Sequence, residues 1–258
     1  MTDPRKTPAG RVLALLDLTS LNAGDDLQST VDLCRRSLTP YGEVAAVCVW
    51  PKLVHVARRT LNTLGGRSVK VASVCNFPAG NAPLADVAEE VRKTLAEGAD
   101  EIDLVYPWRK LKAGEATAAE ELIRTCKTLC GPYHRLKVIL ETGELADPEL
   151  IRTACREAIA GGADFLKTST GKAATHATPE AVKVMLECIE EAGGKVGLKV
   201  SGGLRSLADA LQYRALVEER FGSAWITPEH LRFGASALLD DLLRELGVEA
   251  KPISTRSY

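Results

Sequence analysis

Eight apolar runs rich in β-branched residues, recurring at a steady interval, constrain this chain of 258 residues more than any other feature. They are Val12 to Leu16, Val44 to Trp50, Val69 to Phe77, Ile102 to Tyr106, Leu136 to Leu140, Phe165 to Thr170, Val196 to Val200 and Leu231 to Phe233. Between them lie segments of helical period: Asp86 to Glu97, with Val87, Val91 and Leu95 on one face, Glu120 to Leu129, and Ala181 to Glu191. Thr178 before Pro179, and Ser206 with Asp209 three residues on, mark helix starts. Strands alternating with helices, without a linker or a composition shift, give an α/β fold with parallel pairing, either a closed (β/α)8 TIM barrel or an open doubly wound sheet. Eight units favour the barrel. No glycine fingerprint follows the first run, which continues as Asp17-Leu18-Thr19-Ser20-Leu21-Asn22, so a dinucleotide sheet loses its main support. The units share no consensus that would indicate a solenoid. We therefore expect residues 1–258 to form one barrel domain, with a flexible tail from about residue 250.

Lys and Arg number 33 against 34 Asp and Glu, a net charge of -1, and no long run of either sign occurs. Neither a nucleic-acid groove nor an anionic membrane surface is indicated. The run from Val12 is too short for a signal-peptide core or a membrane span, so the expectation is a soluble cytoplasmic protein. Seven cysteines, an odd count spread through apolar segments, suggest reduced buried thiols. Cys126 and Cys130 share a helix face near His134, too few ligands for a closed zinc site, so no metal is expected.

Charged residues inside strand patterns are the ones to examine, because the substrate of such a barrel lies at the carboxyl ends of its strands. Asp103, Lys137, Lys167 and Lys199 interrupt four of the runs. Each alone is equally readable as half of a structural ion pair. Together they suggest more. Neighbouring strands lie about 4.8 Å apart, so inward lysines on strands six and seven would meet, and like charge with partial desolvation disfavours protonation. A lysine of ordinary pKa is neutral in only about one molecule in 2,500 at pH 7, so such a setting greatly raises the supply of nucleophilic amine. Asp103 would orient a lysine or relay protons.

Small-residue turns follow the last two strands: Ser201-Gly202-Gly203-Leu204-Arg205 and Phe233-Gly234-Ala235-Ser236. Barrels commonly bind phosphate there, through backbone N–H groups, a hydroxyl and a cation, although Gly202-Gly203 also suits a plain tight turn. Ser169-Thr170-Gly171-Lys172 is not a P-loop, since Leu166 and Ala173 stand where that motif needs Gly and Ser/Thr. Lys172 is left as a phosphate contact or a solvated surface lysine. His55, His134, His176 and His230 are scattered singly and read as surface or helix residues.

The chain resembles the deoxyribose-phosphate aldolases over nearly its whole length, from Leu16-Asp17-Leu18-Thr19 to Tyr258. The resemblance is carried by Glu101-Ile102-Asp103-Leu104-Val105, by Lys137 to Gly143, by Gly162 to Gly171, by Lys199-Val200-Ser201-Gly202-Gly203 and by Arg232 to Ser236. It implies reversible cleavage of 2-deoxy-D-ribose 5-phosphate to acetaldehyde and D-glyceraldehyde 3-phosphate without a cofactor. By the same resemblance, Lys167 is the Schiff-base lysine, Lys199 the lysine that depresses its pKa, and Asp103 the acid/base. Gly202, Gly203, Arg205, Ser236 and Lys172 match the phosphate end, Asp17, Thr19, Cys48 and Thr170 the pocket lining, and Tyr258 a tail residue that assists proton transfer. Val200 and Ala237 depart from common family choices, putting loop rigidity and phosphate contact in question. Phosphosugar and aldehyde substrates are the implied partners, with a homodimer as the assembly to test. Another Schiff-base or transaldolase-like barrel, a non-catalytic phosphosugar binder and a metal-dependent aldolase are the competing readings.

Overall fold

In the computed structural model, which describes residues 3–248, eight parallel strands close into a ring. They are β1 (Leu16–Thr19), β2 (Ala46–Val49), β3 (Lys70–Cys75), β4 (Glu101–Val105), β5 (Arg135–Ile139), β6 (Phe165–Lys167), β7 (Gly197–Ser201) and β8 (Leu231–Ala235). Each pairs with the next, and β8 pairs with β1. Helices α1 (Leu27–Arg36), α2 (Val54–Leu64), α3 (Leu84–Ala96), α4 (Ala119–Cys130), α5 (Pro148–Ala160), α6 (Pro179–Glu191), α7 (Leu207–Phe221) and α8 (Leu238–Glu245) follow the strands in turn. This is the expected (β/α)8 barrel.

The expected helix starts are present. Thr178 Oγ1 accepts from the Ala181 N–H at 3.2 Å, and Ser206 and Asp209 cap each other's backbone N–H groups. Each cap contributes about 1 kcal/mol. The first strand, however, needs correction. Val12 and Leu13 belong to a short helix, Pro8–Leu13, opened by Pro8 and by Thr7 Oγ1 accepting from the Gly10 N–H. A five-residue apolar run has no periodicity to separate strand from buried helix. Consequently Asp17 and Thr19 lie within β1 and not in the loop after it. Likewise β6 ends at Lys167, short of the expected Thr170.

Side chains alternate between the two faces of each strand, so burial divides into two zones. Outward residues such as Val47, Leu104, Val138, Leu166, Leu198 and Val200 join the main core between strands and helices. The departure at Val200 therefore falls in that core. Inside the ring, Ala46, Cys48, Ala72 and Val74 of β2 and β3 form a small apolar patch with Leu21. Beside that patch the interior holds an ionic cluster. All seven cysteines are free and buried, as the odd count suggested, and burial pushes the Cys34 thiol up to about 11. Among the described residues, no helix is long and apolar enough to cross a membrane.

Candidate active site

Strand register brings the charged residues together. Asp103 on β4 is level with Lys137 on β5, and Lys167, Lys199 and Arg232 stand level across β6, β7 and β8. Asp103 Oδ2 accepts from Lys167 Nζ at 2.7 Å and from Lys199 Nζ at 2.8 Å, while its Oδ1 accepts from Lys137 at 2.8 Å. Lys199 also lies 2.6 Å from Asp17, Lys137 lies 2.5 Å from Glu101, and Arg232 bridges Asp17 and Glu101 at 2.7 and 2.9 Å. All seven groups are buried. Three carboxylates thus face four bases, leaving one positive charge in excess if every base is protonated. Buried ions are tolerated only when paired, so this cluster is balanced when one lysine sheds its proton.

The directions of the pKa shifts differ among the three lysines. Burial is the largest influence on Lys167 and lowers its pKa; Asp103 opposes this, Lys199 reinforces it, and the net shift is downward. For Lys199 burial is again the largest single influence, but Asp103 and Asp17 together outweigh it and raise the pKa. Lys137 is raised in the same way by Asp103 and Glu101. Burial alone would raise the pKa of Asp103, yet three lysines hold it well below the usual carboxylate range. Desolvation and the neighbouring cation, the two expected causes, both lower the Lys167 pKa.

Lys167 opens onto a cavity of about 300 Å³ at the carboxyl ends of the strands. Of the residues singled out in the sequence, Thr19, Thr170, Lys172, Gly202, Gly203, Arg205 and Ser236 line it. Asp17 and Cys48 do not. Both are fully buried, and Asp17 is held by Lys199 and Arg232. Tyr258 lies outside the described residues. At one end of the cavity, Gly202 and Gly203 precede α7, and Ser236 and Ala237 precede α8. The N-terminus of α7 is capped by Ser206, whereas that of α8 has no side-chain cap. Its free N–H groups suit an anion.

Residues 11–244 match the model of the "DeoC/LacD family aldolase". The chain belongs to that aldolase family. Among solved structures, it is similar to a protein of Toxoplasma gondii ME49 provisionally described as a deoxyribose-phosphate aldolase. The two are 27% identical over 93% of each chain, with a TM-score of 0.85. A Coccidioides immitis protein with the same provisional description is 28% identical over 91% of this chain and 85% of its own, with a TM-score of 0.77. The deoxyribose phosphate aldolase of Aeropyrum pernix, described as tetrameric, is 25% identical over 93% of each chain, with a TM-score of 0.75.

In this aldolase, several site residues have no obvious sequence signal. Arg232 lies in a three-residue apolar run, and Glu101 begins its strand. Glu141 is buried in a left-handed conformation at φ +57°, where its carboxylate accepts from the Thr170 N–H at 3.1 Å and from the Thr170 hydroxyl at 2.5 Å. Thr170 Oγ1 in turn accepts from the Lys172 N–H at 3.0 Å, so Glu141 sets the loop that follows β6. Such strained non-glycine residues cluster at functional sites. His176 was read as a surface or helix histidine, but it lines the cavity, and its Nδ1 is buried without a hydrogen-bond partner. Gly202 makes this packing possible. Its φ is +88°, and a Cβ there would come within 2.9 Å of the His176 ring. Gly202→Ala should therefore weaken binding of a phosphorylated substrate about tenfold, seen as a rise in KM exceeding any fall in kcat. An unaltered KM would place the anion elsewhere.

Proposed function

We propose that this aldolase reversibly cleaves 2-deoxy-D-ribose 5-phosphate to acetaldehyde and D-glyceraldehyde 3-phosphate through a Schiff base on Lys167. One observation carries the reading. Two lysines share a single Asp103 oxygen, yet the one facing the cavity has its pKa lowered and the one sealed beneath has its pKa raised. Pairs of titratable groups driven apart in this way divide nucleophile from proton donor.

The neutral Lys167 amine attacks C1 of the open-chain sugar, and the carbinolamine loses water with a proton supplied from the Lys199 and Asp103 pair. The C2–C3 bond then breaks, its electron pair entering the protonated imine to give an enamine. The C3 hydroxyl proton passes to Asp103 through water, and the departing fragment becomes the aldehyde of glyceraldehyde 3-phosphate. Protonation and hydrolysis of the enamine release acetaldehyde and restore the amine. Meanwhile Gly202, Gly203, Arg205, Ser236 and Lys172 hold the phosphate, which supplies orientation to the reacting end.

Borohydride reduction in the presence of acetaldehyde tests the proposal. One ethyl group should be added, on the peptide that carries Lys167, and an assay of the sugar phosphate should yield both aldehydes. Attachment at Lys199 would reverse the assigned roles, and an unchanged mass would favour a non-catalytic binder. Activity should survive EDTA, because the imine is itself the electron sink; its loss would favour metal-dependent chemistry.

A further inference from the structure

The cavity wall contains a hydroxyl for which the mechanism above has no use. Ser201 ends β7 two residues after Lys199, and strand alternation turns both side chains into the ring. It is only 5% exposed, lines the cavity, and its Oγ has no hydrogen-bond partner. Its backbone is fixed by Thr168, whose Oγ1 accepts from the Ser201 N–H at 2.9 Å and donates to the Ser201 carbonyl at 3.1 Å. Across the ring wall stands Gly234, where a Cβ would strike Ser201 Oγ and approach Lys199 Cε to 2.9 Å. The strand pair thus leaves room for this hydroxyl and offers it nothing to bond. Ser169 and Thr142 also have unpartnered hydroxyls, but neither residue lines the cavity. Buried polar groups are normally satisfied, so an orphan on a cavity wall points to a ligand.

Ser201 stands between the lysine floor and Gly202-Gly203, the level at which a sugar chain joined to Lys167 and anchored by its phosphate carries its hydroxyls. We propose that Ser201 Oγ hydrogen-bonds a hydroxyl of the sugar and thereby selects hydroxylated substrates. The inference rests on the Schiff-base reading of the same site.

Acetaldehyde has neither hydroxyl nor phosphate, and unphosphorylated 2-deoxyribose has only the hydroxyls, so the two separate the alternatives. In Ser201→Ala, kcat/KM should fall about tenfold for both 2-deoxyribose 5-phosphate and 2-deoxyribose, with borohydride labelling of Lys167 by acetaldehyde unchanged. Ser201→Cys, which keeps the bulk but donates weakly, should show the same order with a smaller loss. A loss confined to the phosphorylated sugar would make Ser201 a phosphate contact and overturn the inference. Equal loss of acetaldehyde labelling would make it a support for Lys167, and unchanged kinetics would remove it from recognition altogether. A wild-type chain that takes no label would overturn the Schiff-base reading and this inference with it.

Discussion

Lys167→Leu will abolish acetaldehyde labelling and lower cleavage of the sugar phosphate by on the order of 10⁴-fold or more, while leaving the fold as stable as before or more so. The two outcomes have one cause. Of the three lysines Lys167 alone has its pKa lowered, by burial first and also by Lys199, against the pull of Asp103. A base with a lowered folded pKa binds fewer protons folded than unfolded, so below its unfolded pKa its burial costs stability. Leucine removes that cost and keeps most of the volume. We expect a gain of about 1 kcal/mol in urea denaturation at pH 7. A large loss of stability, or retained turnover, would show that the amine at 167 is a structural ion.

Asp103→Asn should do the opposite and damage both properties. Three lysines within 2.8 Å would lose their common anion in a buried setting, which costs about 3–5 kcal/mol when one partner of a buried pair is removed. The pH profile then separates electrostatics from general unfolding. Asp103 raises the pKa of Lys167, so without its charge the amine deprotonates at lower pH, and the acid limb of borohydride labelling should move down. Lys199→Met removes a cation that lowers the same pKa, so there the limb should move up. Movement in one direction for both variants would contradict the assignment. The stability supplied by Asp103 has its own pH window. Its folded pKa is depressed, so that contribution is present above the unfolded carboxylate pKa and disappears as the pH falls through the folded value.

The buried lysines were visible in the sequence because charges inside apolar strand patterns are conspicuous, and a strand's alternation decides which way they face. Their partners were harder to read. Arg232 and Asp17 are 215 residues apart and meet only because β8 closes against β1. No local pattern encodes that contact. Strand position gives the direction of a side chain but not its depth, so the full burial of Cys48 was not legible. The turns at Gly202-Gly203 and Ser236 were legible from composition. His176 was not, because its place depends on the bare Cα of Gly202 in another loop. At the amino end, the run from Val12 was too short to reveal its period, and the cap at Thr7 was the signal that would have corrected it.

The charges of the ionic centre are segregated along the chain. Asp17, Glu101 and Asp103 all lie in the stretch from β1 to β4, and Lys137, Lys167, Lys199 and Arg232 all lie in the stretch from β5 to β8. Cut between β4 and β5, the molecule would yield one piece with an anionic inner wall and one with a cationic inner wall, neither able to exclude solvent from it. Each inner wall would be the natural counterion of the other, so docking of the two pieces would depend on these buried contacts and not on the overall charge of either piece.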